Sequence, residues 1–452
     1  MEESIHVDIQ KGDVESASSE EAPQVFRTYK IRFFGLTMIA LANISSAMNW
    51  LAVAPVPDFA NSFFNNCGLS TINWFSNIFM LCYVVAGPLS SWVYDRWSLK
   101  VGLITGTVLQ TIGAWLRYFS SFVNYPTGKL ALALIGQTFC AIGQPFILNA
   151  STPYAAQWFS ADGRATASMI SGLVSGVGMA ISDLIIPAIV TDTTQLPMGF
   201  LCIACITTGL TIPNFFIPKK PKTPPSYSAY TKEEHTLSFK DSLLSLVTNR
   251  NFLLIFTSFS IIAGLTNTVT SLLAQIVIPY GVSVDQAGYL GAAFIVAGLV
   301  GGFSCGYLID KTRRHILIIK IFVPILGCMY LGLIFVVKEN GYAGIMAICT
   351  ILGFFTFALL PASLELSVEC SYPVSESVSS SFLWMGSQIL GLAFILSMDA
   401  LREDNGNPPG NMRRALIMAA SMVLPMSIVI FIYNSPNRRL EYEKREKEGE
   451  DS

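Results

Sequence analysis

Two short runs set a carboxylate beside basic side chains between apolar stretches: Ser91-Trp-Val-Tyr-Asp95-Arg96-Trp-Ser-Leu-Lys100 and Gly306-Tyr-Leu-Ile-Asp310-Lys311-Thr-Arg313-Arg314. Asp95 and Asp310 stand 215 residues apart, close to half of the 452-residue chain. A carboxylate next to cations at the end of an apolar segment can make and break ion pairs and meet helix dipoles. That is gating chemistry. Asp95, Arg96, Asp310, Lys311 and Arg313 are therefore gating candidates. A charged turn repeated at half-length also indicates two homologous halves.

The other informative groups are polar residues inside apolar stretches, where they are costly. On the first stretch Asn43, Ser46 and Trp50 fall on one helical face and Asn49 adjoins it, with Pro55 and Pro57 beyond. Helix breakers near a polar face are common where a span lines a cavity. Trp50 offers a π face to a cationic or aromatic solute, or is an interfacial or core Trp. Gln137 and Gln144 lie two turns apart on the fourth stretch. Asn267, Thr270 and Ser271 cluster on the seventh, with Gln275 one turn on, and Trp384 and Gln388 lie one turn apart on the eleventh. Interhelical hydrogen bonds would explain any one group, but four together point to a shared aqueous cavity. Asn49, Trp50, Gln137, Gln144, Asn267, Thr270, Trp384 and Gln388 are the candidate solute contacts. Asp183, in the outer half of the fifth stretch, is the proton-coupling candidate. Glu365 and Glu369, one turn apart past Pro361, join the gating set, with coupling or plain solvation as alternatives.

The elements that carry these residues are membrane spans. The chain is 52% hydrophobic and 13% charged, against about 25% charged in soluble domains, and its mean hydropathy is +0.53. A bilayer core needs about 20 apolar residues per helix. Twelve spans are expected near 33–57, 71–93, 100–121, 130–153, 164–190, 197–217, 251–275, 286–309, 315–337, 342–364, 376–398 and 412–433. The expected fold is all-α: two pseudo-symmetric six-helix bundles at 33–217 and 251–434, joined by a cytosolic linker at 218–250. Residues 1–32 form an acidic cytosolic tail, which is no signal peptide, and 435–452 a charged one. Lys and Arg concentrate in loops 2–3, 4–5, 6–7 and 8–9, so both termini are expected in the cytosol. In the linker, Phe239, Leu243, Leu244 and Val247 have helical spacing and suggest a surface helix or a plain turn.

Nothing here reads as an enzyme. Most cysteines lie inside spans as small apolar residues. Cys202 and Cys205 form a CxxC without the charge or helix N-terminus that activates a thiol. His6, His235 and His315 are scattered, so no metal or other cofactor is expected. Partners are a small organic solute and membrane lipid, not nucleic acid, and a monomer is expected. The membrane is the plasma membrane, the vacuole or another endomembrane.

The repeated Asp-basic turn resembles the signature loop of the major facilitator superfamily, in which six-helix halves rock about a central site. Asn49-Trp50-Leu-Ala-Val-Ala-Pro, Ile72-Asn-Trp74, Gly113-Ala-Trp115, Gly136-Gln137, Trp158-Phe159 and Glu365-Leu-Ser-Val-Glu369-Cys-Ser-Tyr-Pro373 resemble the feline leukaemia virus subgroup C receptor family of haem, choline and vitamin-related carriers. The Ala-Pro-Val after Trp50 and the Arg164-Ala-Thr-Ala run resemble its orphan branch most. The resemblance implies alternating-access transport of a small organic solute, such as a choline-like amine, haem or a vitamin-like molecule, facilitative or ion-coupled. It also implies a cation cage to which Trp50 and Gln388 would contribute. The span-7 Tyr position of that cage holds Asn267 and its span-5 Gln position holds Val174, so half of the cage is missing. A membrane receptor or scaffold with the same fold is the alternative.

Topology is directly testable. A protease tag in 218–250 should be protected from protease added outside intact cells, whereas a tag between Asn61 and Ser70 should be cleaved if the protein reaches that membrane. Cleavage of the linker tag from outside would invert the charge reading.

Overall fold

Long apolar helices dominate because lipid offers no hydrogen bonds to a backbone. The computed structural model describes residues 27–159, 161–221, 223, 239–312, 315–371, 374 and 376–433. In chain order the spanning helices are α1 (Ile31–Trp50), α2 (Leu69–Arg96), α3 (Leu99–Ser120), α4 (Pro126–Leu148), α5 (Ala161–Ile189), α6 (Leu196–Thr211), α7 (Arg250–Val277), α8 (Val284–Thr312), α9 (His315–Val336), α10 (Tyr342–Ser371), α11 (Glu376–Ala400) and α12 (Arg413–Ile432). Among the described residues eleven are long and apolar enough to cross a membrane. The remaining one, α5, is 29 residues long, and Leu173–Ile189 within it is an apolar helix. Equivalent helices of the two halves start 215 to 219 residues apart, from Leu69 against Val284 to Ile31 against Arg250. The repeat seen at Asp95 and Asp310 thus extends through all six pairs.

Several boundaries differ from expectation. Span 1 ends at Trp50 rather than 57, and a short helix, Pro57–Phe63, follows. Pro55 and Pro57 lack the N–H that would continue α1, while Pro57 suits the start of a new helix. Span 4 breaks after Leu148, and Ser151–Trp158 is a separate short helix. The charged runs are not loops throughout: Asp95 and Arg96 close α2, and Asp310 and Lys311 lie in the last turn of α8. In the linker, Phe239–Thr248 is helical. Its Leu246 is buried in the core, and Leu244 and Val247 face outward. Residues 224–238, Arg313 and the tails beyond 27 and 433 lie outside the described residues.

With six antiparallel helices per half, the linker and the outer ends of both halves share one face of the molecule, here the linker face. The halves meet toward the opposite face. There Trp50, Leu51, Phe79 and Met80 pack in one buried cluster with Leu272, Ile276, Val277, Ile395 and Met398. Across the halves, Gly288 and Gly291 of α8 press on Asp183 of α5, Gly302 on Leu173, and Gly391 of α11 on Met80 of α2. Gly176 of α5 also meets Ile295 across the halves, whereas Gly298 packs on Phe357 and Gly353 within its own half.

Within the N-terminal half, α3 and α4 cross at Gly113 and Gly136, where a Cβ on Gly113 would come 2.3 Å from the Gly136 carbonyl oxygen. A backbone oxygen cannot swing aside, so Gly113→Ala should cost about 1–3 kcal/mol and lower the melting temperature in detergent. Gly209, with nothing within 4 Å of its Cβ position, is the control: Gly209→Ala should melt no lower than wild type.

Candidate functional site

The N-terminal half is organised around a buried arginine. Arg117, near the end of α3, is fully buried. Its Nη1 donates to the Asn49 carbonyl oxygen at 3.0 Å and to Gln137 Oε1 at 2.7 Å, and its Nη2 donates to Asn49 Oδ1. The guanidinium also lies 5.8 Å from the ring centre of Phe200 on α6. Gln137 Nε2 donates to the Phe75 carbonyl of α2 at 2.8 Å, and Asn49 Nδ2 to Thr207 Oγ1 of α6 at 2.9 Å. One network therefore ties α1, α2, α3, α4 and α6. Among the described residues no carboxylate pairs with Arg117; neutral oxygens and a π face hold its charge.

A second polar cluster joins the halves near the opposite face. Asn73 of α2 donates to Asp399 of α11 at 3.0 Å and accepts from Gln275 of α7 at 2.5 Å. Arg402 pairs with Asp399 at 2.8 Å and reaches Ser70 of α2 at 3.4 Å. The Arg402–Asp399 side chains are 10% and 13% exposed, so the pair is shielded from solvent and less screened by salt than a surface ion pair. This latch holds α2 of one half against α7 and α11 of the other.

Against this frame the candidate residues divide. Asn49 and Gln137 are enclosed in the arginine network. On α1, Ser46 accepts from Gln110 of α3 at 2.6 Å, and Asn43 bonds back to its own helix at Ile39. The stripe from Asn43 to Trp50 therefore meets α3 rather than a cavity along part of its length. Thr270 is also buried and donates to Thr266 of its own helix at 2.8 Å. Gln144, Asn267 and Gln388 are half-buried, and among the described residues no hydrogen bond engages their side chains. Trp50 is 8% exposed and its indole N–H has no partner. Trp384 stands edge-on to Phe259 of α7, centres 5.4 Å apart.

Asn267 and Gln388 flank the crossing of two helices, α7 and α11. α7 and α11 cross where Gly264 meets Gly391, and Thr268 Oγ1 donates to the Gly391 carbonyl at 3.2 Å. Gln388 lies one turn toward the linker face from this crossing and Asn267 one turn toward the opposite face, each about 4.5 Å along its axis. Met80, which touches Gly391, belongs to the same cluster as Trp50. Asp183 is buried at the α5–α8 contact. Arg96, Lys311 and Glu365 are exposed near the linker face, and Glu369, one turn on, is buried. Arg117, Asn73, Asp399 and Arg402 are the residues that sequence reasoning did not single out.

A family model described as Major Facilitator Superfamily matches residues 34–396. Solute carrier family 49 member A3 of Xenopus tropicalis is 30% identical over 435 residues, covering 92% of this chain and 89% of the relative. Choline/ethanolamine transporter FLVCR1 of Felis catus is 30% identical over 407 residues, covering 86% and 71%. Among solved structures, a D-xylose-proton symporter superposes with a TM-score of 0.70 at 14% identity, covering 90% of this chain and 99% of that one.

The arginine network makes a stability prediction. Arg117→Ala leaves Gln137 Oε1 buried without its donor and Asn49 Oδ1 with only the weak Cys140 thiol, at about 1–3 kcal/mol per orphaned group. Thermal unfolding in detergent should show a large loss. Arg117→Lys should recover only part of it, because a single ammonium cannot reproduce the planar fork. A melting temperature unchanged in Arg117→Ala would remove the network from its organising role.

Proposed function

Because the chain belongs to the Major Facilitator Superfamily and is a secondary transporter of a small organic solute, we propose that the solute is held between the halves against Trp50, Asn267 and Gln388. The observation behind this reading is the set of unpartnered polar groups. A buried indole N–H and open amides in a membrane interior are costly unless something else satisfies them. A solute is that something. Trp50 comes from one half and Asn267 and Gln388 from the other, so a bound solute bridges the two moving units. Binding energy drawn from both halves can bias the equilibrium between the two access states.

The latch at Asn73, Gln275, Asp399 and Arg402 closes the opposite face in this state. Asp95–Arg96 and Asp310–Lys311 at the helix ends, with Arg313 beyond, are the counterpart gate at the linker face. We take the linker face as cytosolic from the Lys and Arg bias. Asn49 and Gln137 support Trp50 through the network rather than meeting solute in this state, and Gln144, on the Gln137 stripe, lines the approach from the linker face.

The solute recognised here is polar, with hydrogen-bonding groups for Asn267 and Gln388 and a body that lies on the Trp50 ring. Some relatives are named choline/ethanolamine transporters, which makes these amines the first solutes to test. A lone aromatic face is worth about 1–2 kcal/mol to a cation, less than a closed cage would give, and an amide at 267 in place of an aromatic ring suits a more polar molecule. In uptake by proteoliposomes, Trp50→Ala should weaken affinity strongly and Trp50→Phe should keep part of it. Gln388→Ala should cost about 1–2 kcal/mol, roughly tenfold in affinity. Asn267→Tyr should shift preference toward quaternary amines. Wild-type uptake in Trp50→Ala would make Trp50 a packing residue and overturn the site.

A further inference from the structure

Among the described residues Asp183 is the one buried carboxylate on the contact between α5 and α8, and the transport reading gives it no task. It is 6% exposed, and its Oδ2 has no hydrogen-bond partner. α8 is built around it. A Cβ on Gly291 would come 2.4 Å from Asp183 Oδ2, and a Cβ on Gly288 would come 2.2 Å from the Asp183 carbonyl oxygen. Ser182, its neighbour, donates to the Leu51 carbonyl of α1 at 3.1 Å, fixing α5 against α1. The carboxyl therefore belongs to the N-terminal half and its lid to the C-terminal half.

Among the described residues no cation faces it. Of the elements packed on α5, α8 presents Asp285 and Tyr289 near its start, both exposed. The facing part of α1, Asn43–Trp50, carries no charged side chain; α6 carries only Cys202 and Cys205 as titratable groups; the short helix Ser151–Trp158 carries Tyr154, near the linker face. α5 itself has no other titratable group between Leu173 and Ile189. Further out, the latch contributes Asp399 and Arg402, paired with each other. An ionised carboxylate sealed here would lack both water and counter-charge, and a group in that position neutralises instead.

We propose that Asp183 is a proton-binding site that couples closure of the opposite face to proton uptake. As α8 closes on α5 the carboxylate takes one proton from the medium on that face and is sealed as the neutral acid. As the helices part it meets water and releases the proton to that medium. One proton is bound per closure, and no other bond changes. Lower pH on the opposite face then favours the closed state seen here, with or without solute.

The test needs no solute, so its failure is separate from failure of the solute site. Full-length protein in lipid nanodiscs is followed by hydrogen exchange at the opposite-face ends of α5 and α8, with intrinsic rates corrected, from about pH 5 to about pH 8. In the wild type, exchange in these segments should rise several-fold as pH increases. Asp183→Asn, which mimics the neutral acid, should stay at the protected level throughout, and Asp183→Glu should keep a pH response. The same pH profile in wild type and Asp183→Asn, which would assign the response to Asp285 or the latch, overturns the proposal, as does a flat wild-type profile. If Asp183→Asn does not fold, infrared spectra of wild type carrying isotope-labelled aspartate decide. A protonated-carboxyl band at neutral pH that weakens as pH rises supports the site, and its absence contradicts it.

Discussion

In lipid, a polar group that finds no partner within the protein has none at all, and the rest of this structure follows from how that constraint is met. Arg117 is the extreme case: a fixed cation fully buried near the end of α3. It is tolerated because Asn49, Gln137 and the Phe200 ring surround it. Its fork fixes α1 against α4, and Gln137 and Asn49 carry the tie on to α2 and α6. Trp50 is covalently next to the most engaged residue of the network, so its ring is presented from a rigid platform. A rigid half is what alternating access needs, since the halves must move as bodies rather than deform.

Where the constraint is met between halves, the contact can switch. The latch from Asn73 to Arg402 joins side chains up to 332 residues apart in sequence, between Ser70 and Arg402. Each of its groups would meet water if the halves parted on that face. Its hydrogen bonds can therefore be exchanged for water at small net cost, whereas those of Arg117 cannot. The Trp50 indole N–H is one of several buried groups without a partner among the described residues, and it and the half-buried amides of Asn267 and Gln388 are read as places kept for something that enters from outside.

The fold was largely legible in the sequence because its cause is local. Apolar runs long enough to span a bilayer, charged residues at their ends, and one half-length offset define two six-helix bundles. Boundaries were missed where proline ended a helix inside an apolar run, at Pro55 and Pro57, because hydropathy does not register a missing N–H. The candidate site was legible only in part. Helical periodicity places Asn43, Ser46 and Trp50 on one face but does not say which neighbour that face meets, and Ser46 meets Gln110. Asn49 and Gln137 looked like cavity residues because their partner, Arg117, lies 68 residues from one and 20 from the other. An arginine near a span end also reads as one that snorkels to the interface. The latch is a purely tertiary feature, and no periodicity announces it.

The central claim is that Asn49 and Gln137 belong to the scaffold while Trp50, Asn267 and Gln388 face the solute path. Thiol accessibility tests this most directly. In a background without the native cysteines, Gln388→Cys, Asn267→Cys and Gln137→Cys would each be exposed to a membrane-impermeant thiol reagent, with and without a transported solute. The account predicts that cysteines at 388 and 267 react and are protected by solute, while the cysteine at 137 stays unreactive. Reaction at 137 with inert cysteines at 388 and 267 would contradict it.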